Sequence, residues 1–215
     1  MKYIVSFQKV LYYYVEVKAM DGYQRRTEKK KENIRNAAFE LFKVYGVEKV
    51  SIAEIAKKAN VSPVTIYNYF GNKDELFKEV LSEYMNNELY QYMELLHSDL
   101  PFPKKLEKMV FNKTEAAKTL SSDFLKGITD PSLQEVIEDF ANNKAIPLMM
   151  EMIEQGKAEG YVNPDLSTNA ILIYIHTFSE LTQRPELFSN THMNELLDLS
   201  NLFFYGLLGQ PVKDS

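Results

Sequence analysis

The side chains best suited to chemistry crowd between Ser51 and Lys73. Ser51, Ser62, Thr65, Tyr67, Asn68, Tyr69 and Lys73 bring hydroxyls, phenols, a carboxamide and an ammonium, with Pro63 and Val64 among them. No nucleophile stands with a base in this set. Its chemistry is that of reading a flat, polar surface. A carboxamide pairs bidentately with adenine, and valine or threonine methyls fit the methyl of thymine. Asn68, Val64 and Thr65 are therefore candidates for contact with base edges, and Ser62 stands beside them. Elsewhere the chain is poor in reactive groups. It has no cysteine and three histidines, His97, His176 and His192. His97-Ser98-Asp99 has the residue types of a triad, but neighbours on a helix end point different ways and cannot form the relay. No histidine pair has metal-ligand spacing, and no glycine-rich phosphate loop occurs. His176, with Glu180 four residues on, reads as a hydrogen-bonder in a core or interface. The expectation is a protein without catalytic residues, metal or cofactor, and not an enzyme.

The elements that must position these groups are two short helices. Ser51 with Glu54 forms a capping box. Ile52, Ile55, Ala56 and Ala59 then share one face. Asn60 sits where a tight turn needs a left-handed backbone, which Asn tolerates. Ser62 is a second N-cap, followed by Pro63 at the first helical position. Ile66, Tyr69 and Phe70 turn inward, while Ser62, Val64, Thr65, Tyr67 and Asn68 are left mainly outward. This is the pattern of a helix-turn-helix, whose second helix enters the major groove with its N-terminal residues near the bases.

Ahead of this pair, a helix opened by Thr27 is predicted to run to about Tyr45. Its inner stripe is Ile34, Ala37, Ala38, Leu41, Phe42 and Tyr45, and Gly46 is its stop. Asn72 with Glu75 opens a fourth helix, predicted over about Lys73 to His97.

The run Thr65-Ile66-Tyr67-Asn68-Tyr69-Phe70, continued by Asn72-Lys73-Asp74-Glu75-Leu76, resembles the signature of TetR-family transcriptional regulators. Ala37-Ala38-Phe39-Glu40-Leu41-Phe42-Lys43-Val44-Tyr45-Gly46 resembles the first helix of the same family. The resemblance is specific over about residues 27–80. It implies that Tyr67, Tyr69 and Lys73 hold phosphates, with Ser51 reaching one as well. It also implies dimers paired through two C-terminal helices and a body that senses a small molecule without transforming it.

The 215 residues carry a formal net charge of −5, which looks wrong for a DNA binder. The distribution is more telling. Asp21 to Glu75 holds eleven Lys and Arg against eight Asp and Glu, so the negative surplus lies elsewhere. Arg25, Arg26 and Lys29 to Lys31 read either as a solvated tail or as a phosphate-contacting arm ahead of the first helix, and the family resemblance favours the arm. Residues 1–19, rich in Tyr, Val and Ile, do not match the helical pattern of the rest of the chain. An extended reading frame with Met20 as the functional start, a poor export signal, and an extra packed strand or helix all remain open. No apolar run approaches the roughly 18 residues that span a bilayer, and a cysteine-free chain suits the cytoplasm.

Beyond Leu100-Pro101-Phe102-Pro103 the chain reads as helices only. They are predicted over Lys104 to Leu120, Ser122 to Ile128, Ser132 to Glu159 (kinked or divided at Pro147), Ser167 to Gln183 and Thr191 to Leu208. The last two are apolar on more than one face, which suits pairing of two copies through residues 167–183 and 191–208. The helices between hold Phe111, Phe124, Phe140, Met149, Met152, Ile153, Tyr174 and Phe178, candidates for the lining of an adaptable apolar pocket.

The resulting fold class is all-α. It comprises a 1–20 extension, a 21–72 helix-turn-helix DNA-binding domain and a 73–215 helical effector-binding and dimerisation domain. The expected function is a sequence-specific, ligand-responsive homodimeric repressor, released from palindromic double-stranded DNA by a small apolar or amphipathic effector. The alternative is an all-α dimeric protein-interaction module without specific DNA binding.

Overall fold

The computed structural model describes residues 22–182 and residue 202, with side chains other than those of 110–118 and 178–182. Residues 1–19, helix 191–208 except residue 202, and the side chains of Phe111 and Phe178 therefore lie outside what is described. The described chain is all-α. It contains α1 (Gly22–Tyr45), α2 (Ile52–Ala59), α3 (Pro63–Phe70), α4 (Lys73–Leu96), α5 (Phe102–Thr119), α6 (Ser122–Ile128), a 3₁₀ turn at Pro131–Leu133, α7 (Gln134–Phe140), a π turn at Ala141–Ala145, α8 (Ile146–Ala158) and α9 (Thr168–Thr182). It forms two compact units, one of residues up to Tyr84 with Ala117–Gln134, the other of Met85–Ala116 with residues from Glu135 on. The first unit thus extends past the sequence-based boundary at Asn72 and takes in a second stretch of chain.

In the first unit, α1 buries Ile34, Ala37, Ala38 and Phe42 at helical spacing. Two expectations from the sequence differ from the structure. The helix is already formed at Gly22, ahead of Thr27, because Gln24, Arg25, Arg26 and Glu28 favour helix and nothing between them breaks it. The basic arm is therefore the first turns of α1. Tyr45 is exposed, because it is the last residue of the helix and Gly46 turns the chain away behind it. Gly46 has φ +80°, and its N–H donates to the Phe42 carbonyl at 2.8 Å. Arg35 joins α1 to α4 through Glu79, at 3.3 Å, and Glu83.

The core of this unit is aromatic. Phe42 meets Phe77 edge-on at 5.4 Å, and Phe77 meets Phe124 at 5.8 Å. Phe39 stacks on Tyr84 at 5.2 Å and touches Phe124 at 6.1 Å. Phe124 belongs to α6 and is fully buried here. The sequence grouped it with a pocket of the body, but its ring fills the centre of the first unit. Three further contacts hold α6. The Ser121 N–H donates to the Lys43 carbonyl at 2.8 Å, occupying one of the carbonyls that the end of α1 leaves free. Lys49 pairs with Asp123, whose carboxyl this hydrogen bond and charge hold below the ordinary range. Gly46 lies so close that a Cβ there would stand 2.5 Å from the Asp123 Cβ.

The second unit is centred on Phe102, Ile153, Val162 and Ile171, with Leu106, Met149 and Met152 packed around them. The long helix predicted from Ser132 is divided, as Pro147 requires. Proline cannot donate to the carbonyl four residues back, and its ring presses on that turn. The chain widens at Ala141–Ala145 just before it. The opening cap is Asp130, which accepts the Ser132 N–H at 2.8 Å. Gly156 lets α8 approach Phe102 and Val162, since a Cβ there would meet each at 2.7 Å.

Gly46→Ala is expected to destabilise the protein by about 2–4 kcal/mol, since the left-handed backbone alone accounts for about 1–2 kcal/mol and the clash with Asp123 adds overpacking. Urea unfolding measures this. A loss below about 1 kcal/mol would mean that α6 is not held against this turn.

Candidate nucleic-acid interface

Eight residues make a poor helix in isolation, because nucleation is costly. Both α2 and α3 have that length, and both are fixed at their ends. At the start of α2 the Ser51 hydroxyl accepts the Glu54 N–H at 3.2 Å, and the Ser51 N–H donates to the Glu54 carboxylate at 2.8 Å. These bonds, the backbone one first, hold the Glu54 carboxyl below its ordinary range, so it keeps its charge at the helix N-terminus. At the end of α2, Asn60 is left-handed (φ 54°, ψ 49°), and the Val61 N–H donates to the Ala56 carbonyl at 3.0 Å. Ser62 then caps α3, its hydroxyl accepting the Thr65 N–H at 3.2 Å. Each feature is the one expected from the sequence.

Burial fixes the rotation of α3. Ile66 and Phe70 are its buried residues and pack in the same unit as Ile52, Ile55 and Ala56 of α2. The opposite side is left to Ser62, Pro63, Val64, Tyr67 and Asn68, all exposed, with Val64 at 64% and Tyr67 at 53%. A carboxamide, a phenol and an isopropyl group thus lie along one free edge of a rigid helix. Thr65 stands further in. It is half-buried, and its hydroxyl lies 2.8 Å from that of Ser62. Tyr69 is half-buried with its ring edge-on to Phe70 at 6.4 Å.

Lys73 behaves differently from the rest. Its ammonium donates to the carbonyls of Val47 at 3.0 Å and Val50 at 3.3 Å. It ties the first residue of α4 to the loop between α1 and α2, just ahead of the Ser51 cap. An ammonium has three donors, so one is left for an outside acceptor. Sequence reasoning missed this clamp, since nothing in the spacing of Val47, Val50 and Lys73 announces it. It also passed over Lys57 and Lys58, which are exposed in the last turn of α2 and add positive charge beside the turn. Composition alone held that signal.

Of the residues assigned to a pocket, Met152 and Ile153 line a small apolar cavity in the second unit, and Met149 packs beside it. Phe140 is half-buried, with the Lys144 ammonium 5.8 Å from its ring centre, and Tyr174 is 40% exposed. Among the described residues no group of His, Asp and Glu could hold a metal ion, and no helix is long and apolar enough to cross a membrane.

Comparison with known proteins places this geometry. Residues 34–80 match the family described as bacterial regulatory proteins, tetR family. The chain is 29% identical over 140 residues to the uncharacterized HTH-type transcriptional regulator YhgD of Bacillus subtilis, an alignment covering 63% of this chain and 73% of that protein. It is 33% identical over 92 residues to the HTH-type transcriptional repressor BdcR of Escherichia coli, covering 43% of this chain and 45% of that one. Its fold is that of the transcriptional regulator FadR from Bacillus subtilis, solved in complex with stearoyl-CoA. The TM-score is 0.59 at 20% identity, over 83% of this chain and 97% of that one. These relatives are regulators of transcription, not enzymes.

Lys73→Met is expected to lower the stability of the first unit by about 1.5–3 kcal/mol, the range for hydrogen bonds made by a charged group. The midpoint of chemical unfolding reads this. An unchanged midpoint would mean that the clamp does not hold the loop.

Proposed function

For a chain that is a tetR-family DNA-binding regulator of transcription, we propose the action of a ligand-released repressor. Two copies hold a palindromic operator in cytoplasmic double-stranded DNA, and a small apolar or amphipathic effector in the body releases them. The observation that carries this reading is α3 itself. Ile66 and Phe70 pin it from behind, which leaves Val64, Tyr67 and Asn68 free on the outer edge.

In this reading Asn68 pairs with an adenine, and Val64 with the Thr65 methyl meets thymine methyls. Ser62 and Pro63 bring the helix N-terminus close to the groove wall. Tyr67, Tyr69, Ser51 and the remaining donor of Lys73 take phosphates, which position the helix without reading sequence. The exposed side chains of Ile173, at 58%, and Tyr174 support pairing of α9 with a second copy, together with helix 191–208 beyond the described residues. A two-fold dimer places two α3 helices in successive major grooves, about 34 Å apart.

The FadR structure with stearoyl-CoA supports a ligand with a long apolar part. Met149, Met152 and Ile153 are the members of the expected lining that the second unit brings together. Release requires that the ligand bind the DNA-incompetent state more tightly. Helix α4 is the element that carries the change, because it runs from Lys73, next to α3, to Leu96.

Selection of bound sequences from a random double-stranded DNA pool tests the reading. Enrichment of a palindrome is expected. Absence of enrichment from folded, dimeric protein would favour a protein-interaction module. On the enriched site, Asn68→Ala is expected to cost about 1–3 kcal/mol at one base pair per half-site. A uniform loss across all sequences would instead make Asn68 a phosphate contact.

A further inference from the structure

Thr65 is the third residue of α3, and its side chain is tied to the helix cap. The Thr65 hydroxyl oxygen lies 2.8 Å from that of Ser62, and the Ser62 oxygen also accepts the Thr65 N–H at 3.2 Å. Ser62 thus holds residue 65 by its backbone and again by its side chain. The second contact is not needed for capping, because an N-cap oxygen does that work through the backbone N–H alone.

What the second contact does is fix a rotamer. A threonine in a helix divides between two rotamers, because its hydroxyl can bond a carbonyl one turn back. Thr177 of α9 makes that bond, donating to the Ile173 carbonyl at 3.0 Å. One turn behind Thr65 the helix has only begun, and its hydroxyl takes the Ser62 side chain instead. With the oxygen held there, the handedness of Cβ leaves the methyl a single direction. A methyl is what threonine offers to thymine, so its direction decides whether the base is read.

We propose that Ser62 is a positioning residue in sequence reading, its hydroxyl holding Thr65 in the rotamer that turns the methyl to a thymine. The proposal rests on the reading of α3 as the groove helix, and it adds the residue on which one base preference depends. Either direction of the proton between the two oxygens serves, since both hold the same heavy atoms. Valine supplies the control. Its preferred helical rotamer carries methyls at both of the positions that the threonine methyl takes in its own rotamers. Thr65→Val therefore keeps a methyl in place without help from Ser62.

The test compares binding of the full-length protein to its selected DNA site and to sites with single thymines replaced by deoxyuridine, which removes the methyl alone. The thymine read by Thr65 is the one whose replacement stops mattering in Thr65→Ser. At that base pair the wild-type protein is expected to lose about fourfold in affinity, the value of one buried methyl-sized group. Ser62→Gly, which leaves the cap nearly intact, is expected to reduce that loss to about twofold, because both rotamers become available. Ser62→Ala, a poorer cap, is expected to show the same reduced loss on top of weaker binding to every site. Adding Thr65→Val to either variant is expected to restore the full loss. A full loss retained in Ser62→Gly would overturn the positioning role. So would a reduced loss that Thr65→Val does not restore. If no thymine replacement matters to the wild type while Asn68→Ala still alters base preference, this inference is wrong and the reading of α3 stands. If no DNA sequence is selected at all, that reading fails and this inference fails with it.

Discussion

Helices of eight residues do not hold themselves together, and the surface proposed to read DNA is built from two of them. Everything else in the first unit answers that constraint. The ends of α2 and α3 are closed by Ser51, Glu54, Asn60 and Ser62. Their inner faces are spent on burial, which leaves the outer edge of α3 free for Val64, Tyr67 and Asn68. The loop before α2 buries Val47 and Val50, and Lys73 takes the carbonyls of both. A helix held this firmly loses little conformational freedom when it meets a partner, so the cost of ordering is met in folding.

The same logic explains why a distant segment joins this unit. Residues 22–84 leave an aromatic face around Phe39, Phe42, Phe77 and Tyr84, and Phe124 of α6 fills it. The N-cap of α6, Ser121, gives its backbone N–H to the end of α1, and Asp123 meets Lys49. Hydrophobic burial supplies the stabilisation here. The polar contacts choose the register, since an exposed ion pair alone contributes little.

Local chemistry was legible in the sequence. Both caps, the left-handed Asn60, the Gly46 turn, the bounds of α6 and the break at Pro147 follow from side-chain preferences acting within a few residues. Contacts between remote residues were not legible. Phe124 reads as one aromatic among many until the chain brings it to Phe77. Lys73 reads as an outward cation, and its carbonyl partners lie 26 and 23 residues earlier. Lys105, in a stretch of solvent-seeking lysines, gives no sign of burial. The start of α1 was misplaced for a different reason. Thr27 is a good cap, but a cap is optional where the residues before it are content to be helical.

The discontinuity of the first unit bears on how such proteins can be recombined. The stretch from α1 to α3 looks like a cassette, portable at the junction before α4. Its hydrophobic centre, however, is completed by a ring encoded some forty codons past Tyr84. A chimera joined at that junction pairs one parent's Phe39, Phe42 and Gly46 with the other parent's α6. Gly46 tolerates only a partner helix that approaches as closely as Asp123 does. Replacing the outer edge of α3 alone is therefore less disruptive to the fold than moving the whole N-terminal segment.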